Sequence, residues 1–414
     1  MNVPADNIKA SGSSKQRLWI VCELYYPEEN ATGHYMTQTA EGLAEHFDVK
    51  FICGQPNYAS KGQKGPSHEI RNGVEIFRCW GTRLDKNVVA FRLVNMLTLG
   101  LTMFVRSLLK FRRGDKVLVV TAPPSLPYQT GFAALMKGSG YYLLLHDLYP
   151  DILVAVAGAK PNSLLVRTID VANRWLYKHA AKIIAVGRDM KERLESKSAG
   201  LDVPIAVIPN WADMANIEPR PKEGNELLAE LGVADKLVFL YAGNIGHPTD
   251  IESIVDAAAA LRDEPVHFVF VGSGAKLPWL KKEVAALGLE NITVLGQLPR
   301  GEQRVFLNAG DVAIISLVKG MWGTAMPSRT YNTLATGMPI LALTEEGSEL
   351  ARVIKEERVG WHIPSGQPEA LVLAVRDIMS RRRELGEMRE RARSAALEKY
   401  TPEVAIRSYT RELS

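Results

Sequence analysis

PIAVIPNWADMANIEPRP, residues 204–221, is the stretch that divides the chain. A β-branched run ends at Pro209, Asn210 and Trp211 break the pattern, and Pro219 and Pro221 follow, a punctuation that marks a connection between domains. Upstream lie RLWIVC (17–22), DVKFIC (48–53), VEIFRC (74–79), KVLVVT (116–121), YYLLLH (141–146), KIIAVG (182–187) and PIAVIP (204–209). Downstream the pattern restarts with KLVFLYAG (236–243), VHFVFVG (266–272), NITVLG (291–296), DVAIISL (311–317) and MPILAL (338–343). Short apolar runs between helical stretches predict the strands of a mostly parallel sheet covered on both faces, here twice over. The expected fold class is α/β, two Rossmann-like domains facing each other across a cleft. The N-terminal domain takes 17–208, the linker 209–221, the C-terminal domain 222–400, and a last segment 401–414.

The 414 residues, 46% of them hydrophobic, supply enough apolar material for two cores. Lys+Arg 50 against Asp+Glu 46 gives a net +4 spread along the chain, which does not point to a nucleic-acid partner. Cys22, Cys53 and Cys79 have neither CxxC nor Cys/His spacing, so no disulfide framework or zinc site is expected and a reducing, cytoplasmic setting fits. Residues 1–16 are polar, lack the apolar stretch of a secretory signal, and read as a flexible leader. The longest strongly apolar run, LVNMLTLGLTMFV (93–105), is too short to cross a ~30 Å hydrocarbon core.

In doubly wound sheets ligands bind beyond the carboxyl ends of the strands, which selects the residues just after each run. After the first, Thr32 and Gly33 lead into a helix, where a glycine lets an anion approach the N-terminal amides; a plain turn role for Gly33 is the alternative. No GxGxxG is present, which argues against a nicotinamide or flavin enzyme. After the fifth, LLLHDLYPDIL sets His146, Asp147 and Asp151 toward the cleft, placed to bind acceptor hydroxyls or move a proton. The plainer alternative makes Asp147 a helix cap and His146 a core histidine. YAGNIG sets Gly243, Asn244 and Gly246 where amides would meet a diphosphate, and VFVGSGAKL repeats the device with Gly272, Gly274 and Lys276. SLVKGMWGTAMPSRTYNTLATGMPILAL places Lys319, Ser328 and Arg329 around a helix start behind Pro327, a phosphate site in which Arg329 clamps two oxygens.

In their order, YYPEENATGHYMTQTAEGLA, HDLYPD, YAGNIG, VGSGAKL, VLGQLPRGE and MPSRTYNTLATGMPILA resemble the retaining GT-B glycosyltransferases of family four, over nearly all of residues 17–410. Within that family the likeness is to bacterial enzymes that build O-antigen, capsule or exopolysaccharide. The resemblance implies a nucleotide-diphosphate-sugar donor and a glycan or polyprenyl-diphosphate-linked acceptor. It puts Gly33 toward the donor diphosphate, Asp147 toward the sugar or acceptor, Gly243 and Asn244 in the diphosphate turn, and Gln297 and Leu298 on the backbone that holds the base. Ser328 and Arg329 match the family's Pro-Ser-Lys helix start, with Arg for Lys. The last helix would pack back on the N-terminal domain.

Two departures accompany the matches. The family's two Glu positions fall at Thr324 and Asn332, where Asn332 could still accept bonds from the ribose through its amide oxygen. The cation usual after the first C-domain turn is replaced by His247, Pro248 and Thr249, which leaves Lys276, Lys319 or Arg329 to stabilise the leaving diphosphate. A changed nucleotide preference, weaker donor binding and an inactive relative all stay open. The alternatives are a non-catalytic subunit partnering an active transferase and a sugar-nucleotide epimerase of the same fold.

Breaking a sugar–diphosphate bond builds charge on the departing phosphate, so positioned cations and dipoles would supply the catalysis. No metal and no cofactor is expected, and no Asp-x-Asp is present. The stretch FRLVNMLTLGLTMFVRSLLKFRR (91–113), with Arg92, Arg106, Lys110, Arg112 and Arg113, has two readings. One is a helix lying on an anionic bilayer, which would suit a lipid-linked acceptor. The other is a buried helix of the N-terminal domain with solvated ends.

Overall fold

The computed structural model describes residues 15–28, 30–56, 64–84 and 88–414, so the leader 1–16 lies outside the described residues except for Lys15 and Gln16. The strands in chain order are β1 (Arg17–Val21), β2 (Asp48–Cys53), β3 (His68–Arg71), β4 (Val74–Arg78), β5 (Lys116–Val120), β6 (Gly140–Leu145), β7 (Lys182–Ala185), β8 (Ile205–Val207), β9 (Leu237–Ala242), β10 (Val266–Val271), β11 (Ile292–Gly296), β12 (Val312–Ser316), β13 (Ile340–Leu343) and β14 (Gly360–Ile363). They form two sheets, ordered β3-β4-β2-β1-β5-β6-β7-β8 and β11-β10-β9-β12-β13-β14. Pairing is parallel throughout except between β3 and β4.

Helices cover both faces of each sheet, so the central strands are buried along their whole length; Val266 to Val271 of β10 is one example. Chain order reverses between β1 and β5 in one sheet and between β9 and β12 in the other. A crevice opens at such switch points, beyond the strand ends. Two strands were absent from the expected set. HEIR of β3 is largely exposed and polar, and it pairs with β4 across Asn72 (φ 45°) and Gly73 (φ 79°), the two left-handed residues of a tight hairpin turn. The other is the short edge strand β14.

The linker carries a buried anchor. Trp211 is 1% exposed, its ring 4.9 Å from that of Tyr35, and the Tyr35 hydroxyl donates to its carbonyl at 3.0 Å. The helix Pro402–Leu413, capped by Thr401, packs on the helix Ala31–Leu43 of the first domain. There Lys182 pairs with Glu412 at 2.8 Å and Lys116 donates to the Ser414 carbonyl at 2.6 Å. Across the cleft Asp189, at the start of the helix Arg188–Lys197, accepts from the Glu349 amide at 2.9 Å and the Gly323 amide at 3.2 Å. All three cysteines are free and buried.

The apolar run at 93–105 belongs to one longer helix, Val89–Lys110, of 22 residues. Length and composition alone would let it cross a bilayer. One side of it, Asn95, Leu99, Met103 and Ser107, is buried against the domain, while Leu97, Leu101, Val105 and Leu109 are exposed. It therefore fits neither a free span nor a buried core helix.

Candidate active site

The switch-point edges of the two sheets enclose a cleft of about 560 Å³. Asp147 borders it from the first domain, Asp213 from the linker, and Gly243, Asn244, Gly272, Gln297, Leu298, Ser328, Arg329 and Asn332 from the second. Of the other residues singled out from the sequence, His146, Gly33, Gly274, Lys276 and Lys319 do not border it.

On the second-domain side the loops after β9 and β10 close directly on each other. Gly243 donates to the Val271 carbonyl at 2.8 Å, Ile245 to Ser273 at 2.8 Å and Gly272 to Gly296 at 2.7 Å. A Cβ on Gly272, whose φ is 156°, would lie 1.8 Å from the Gly243 oxygen, and one on Gly274 2.3 Å from the Ile245 oxygen. The glycines are thus needed for loop-to-loop contact. The amides of Gly243 and Gly272 are engaged within the protein, which corrects the expectation that they are held ready for a diphosphate.

Arg329 begins the helix Arg329–Ala335 and lays its guanidinium over the Tyr241 ring, Cζ 4.3 Å from the centroid. Its Nη2 reaches the Ser316 carbonyl at 3.4 Å, and its Nε is buried without a partner. No carboxylate among the described residues pairs with it. It therefore sits across the ends of β9 and β12 as a half-buried cation with no counter-charge. Lys276, by contrast, pairs with Glu252 at 2.7 Å and donates to the Thr249 carbonyl at 3.0 Å, and Lys319 is exposed outside the cleft.

The first domain contributes the loop after β6. Asp147 forms an antiparallel bridge with Ala325, and the Leu148 amide donates to the Thr324 carbonyl at 2.8 Å, so this loop is stitched to the facing domain. Burial pushes the Asp147 carboxyl up from 3.8 to about 6. Asn173 donates to the Tyr149 carbonyl at 2.7 Å and accepts from the Tyr128 hydroxyl at 2.6 Å, which fixes the far end of the loop. His146 has an enclosed Nε2 without a partner, and burial lowers it to about 4, so it is neutral near pH 7. Gly33 donates to the Asn30 side chain at 2.8 Å, and a Cβ there would meet the Glu28 carbonyl at 2.8 Å; its neighbours Ala31 and His34 border the cleft instead.

The two positions that depart from the family pattern are occupied structurally. Thr324 is fully buried and donates to the Met321 carbonyl at 2.8 Å. Asn332 borders the cleft, but its amide oxygen accepts from the Asp213 backbone at 2.9 Å, so the oxygen expected to face a ribose holds the linker.

One cluster was not seen from the sequence. Asp213, 3% exposed, pairs with Arg300 at 2.9 Å, with His34 at 3.8 Å. Burial, then Arg300, lower His34 to about 4, against the opposing pull of Asp213. Helix start, linker and second domain thus meet around one buried carboxylate at the cleft, paired with Arg300 and approached by a neutral His34.

The family profile for a glycosyl transferase 4-like domain matches residues 30–211, and that for glycosyl transferases group 1 matches residues 225–399. The chain is a glycosyltransferase. This glycosyltransferase is 29% identical over 362 residues to the probable glycosyltransferase WbjE of Pseudomonas aeruginosa, covering 87% of this chain and 89% of that one. It is 23% identical over 368 residues to the putative colanic acid biosynthesis glycosyl transferase WcaI of Escherichia coli strain K12, covering 86% and 90%. Anabaena HepE, solved in complex with UDP-glucose, superposes with a TM-score of 0.70 at 14% identity over 96% of this chain and 98% of that one. The fold is GT-B.

Proposed function

We propose that this glycosyltransferase moves a sugar, with retention of anomeric configuration, from a nucleoside-diphosphate sugar to a glycan or polyprenyl-diphosphate-linked acceptor in the synthesis of bacterial surface polysaccharide. The observation that carries the reading is Arg329, an unpaired cation at the switch point of the second sheet. As the anomeric C–O bond breaks, charge gathers on the departing diphosphate; a cation fixed beforehand in a half-enclosed site stabilises that charge more than it stabilises the ground state. Asp147, from the facing domain, is ionised above about pH 6 and accepts hydrogen bonds from sugar or acceptor hydroxyls. Retention follows from the family-four resemblance; polysaccharide synthesis is supported by the naming of WcaI. The exposed side of the helix Val89–Lys110 supports a peripheral contact with an anionic membrane, at the cytoplasmic face where such acceptors are built.

The test is turnover of a panel of nucleoside-diphosphate sugars with a polyprenyl-diphosphate-linked acceptor, the product linkage read by proton NMR. A retained linkage is expected. Conversion of the donor without acceptor would indicate an epimerase, and binding without turnover a non-catalytic subunit.

A further inference from the structure

The proposed bilayer contact involves one helix, and the structure sets two others beside it. The helix Leu126–Lys137 packs along Val89–Lys110, with Phe104 and Phe132 rings 6.2 Å apart, and Leu164–His179 packs along Leu126–Lys137. All three turn apolar side chains to solvent. On the third, Leu164 (82% exposed), Val171 (72%) and Trp175 line up at helical spacing. Beside them lie Phe132 and Met136 of the second helix, and then Leu101 (62%) and Leu109 (76%) of the first. A run of exposed apolar side chains over three adjacent helices marks an interaction surface rather than ordinary scatter.

Charge identifies the occupant. The first two helices contain no Asp or Glu. The one acid of the third, Asp170, is paired with Lys197 at 3.0 Å. On these three helices the exposed charged residues are Arg92, Lys110, Lys137, Arg167, Arg174 and Lys178, all positive. An apolar centre with a cationic rim complements acyl chains beneath anionic headgroups, and an indole such as Trp175 suits the boundary between them.

We infer that these three helices together form the docking platform for an anionic bilayer, a deepening that rests on the membrane reading above. The platform is tied to the site. Tyr128 of the second helix and Asn173 of the third form the hydrogen-bonded chain that ends on the Tyr149 carbonyl, two residues beyond Asp147. A chain docked on this face thus has its Asp147 loop anchored to the platform through the buried side of the same helices.

The experiment is flotation of the full chain with vesicles of equal parts phosphatidylcholine and phosphatidylglycerol, and with phosphatidylcholine alone. It compares the parent with Leu164→Glu/Val171→Glu and with Leu97→Glu/Leu101→Glu, each checked for parental secondary structure and nucleotide-induced thermal stabilisation. The parent is expected to float with the anionic vesicles only, and each variant to partition about tenfold more weakly or less. If the Leu164/Val171 variant floats like the parent while the Leu97/Leu101 variant does not, the platform is overturned and the single-helix reading stands. If neither variant changes flotation, both fall. If the Leu164/Val171 change abolishes a concentration-dependent dimer in sedimentation and leaves flotation intact, the face joins copies of this chain and the inference is overturned.

Discussion

Replacing Asp147 with Asn is expected to raise stability and lower activity, by amounts that follow from its surroundings. Burial moves the carboxyl from 3.8 to about 6, so the folded chain holds this proton more tightly than the unfolded chain does. Stability is therefore lost as pH rises from about 4 to about 6, and stays lower above that. The full displacement corresponds to about 3 kcal/mol at pH 8; the side chain is only half-buried, and solvent screening brings this to about 1–2 kcal/mol. At pH 5, where the folded carboxyl is still mostly protonated, the same linkage gives about half as much. The amide cannot ionise, so Asp147→Asn should melt about 2–6 °C higher than the parent at pH 8 and gain about half of that at pH 5. Sugar transfer should fall by about a hundredfold in the same variant. Scanning calorimetry at the two pH values, with a transfer assay alongside, makes the measurement. A variant that melts lower at both pH values, or whose gain does not grow with pH, would refute the reasoning.

The histidines run the other way: His34 and His146 are held down to about 4, so the folded chain resists protonating them, and stability should fall by up to about 2 kcal/mol for each as pH drops from 6.5 to 5, with His146→Gln flattening that decline in a thermal melt. Asn173→Ala should lower kcat by about tenfold with nucleotide affinity kept, because it frees the Tyr149 carbonyl and loosens the Asp147 loop while leaving the second domain intact; loss of affinity in calorimetry would contradict this. Asp213→Ala removes the buried carboxylate that accepts from Arg300 and Asn216 and should cost about 1–3 kcal/mol in urea unfolding, whereas a change under about 0.5 kcal/mol would show the network to be dispensable. Gly272→Ala drives a Cβ into the Gly243 carbonyl and should both destabilise the second domain by about 3 kcal/mol and abolish nucleotide stabilisation, read by thermal shift.

The sheets were legible because strands covered on both faces read as continuous apolar runs, as in VHFVFV of β10. β3 was not, since HEIR lies at an edge with little buried surface; the Asn72-Gly73 pair was the signal that could have found it. In the site, Arg329 was legible as a cation at a helix start behind a proline. Lys276 looked equivalent, but its counter-charge, Glu252, arrives from the start of the helix Glu252–Ala260, 24 residues away. Glycines 243, 272 and 274 were found for a reason that the structure replaces: the space left at 272 and 274 is filled by neighbouring backbone, and that at 243 by the Arg329 side chain. The Asp213–Arg300–His34 network could not be read at all, because its members lie on three segments, Asp213 and Arg300 alone being 87 residues apart, and only the closed fold brings them together.

The central claim is that Arg329 faces the diphosphate of a nucleotide donor. The most direct test is the thermal shift of the purified chain with UDP, GDP, ADP, CMP and dTDP, repeated with Arg329→Ala. Binding to the folded state alone stabilises it by mass action, about 2.7 kcal/mol at a hundredfold excess over Kd. The account predicts stabilisation by at least one nucleoside diphosphate, with the response to it lost in Arg329→Ala and the variant's own melting point close to the parent's. An undiminished response in the variant, or none to any nucleotide in the parent, would contradict it.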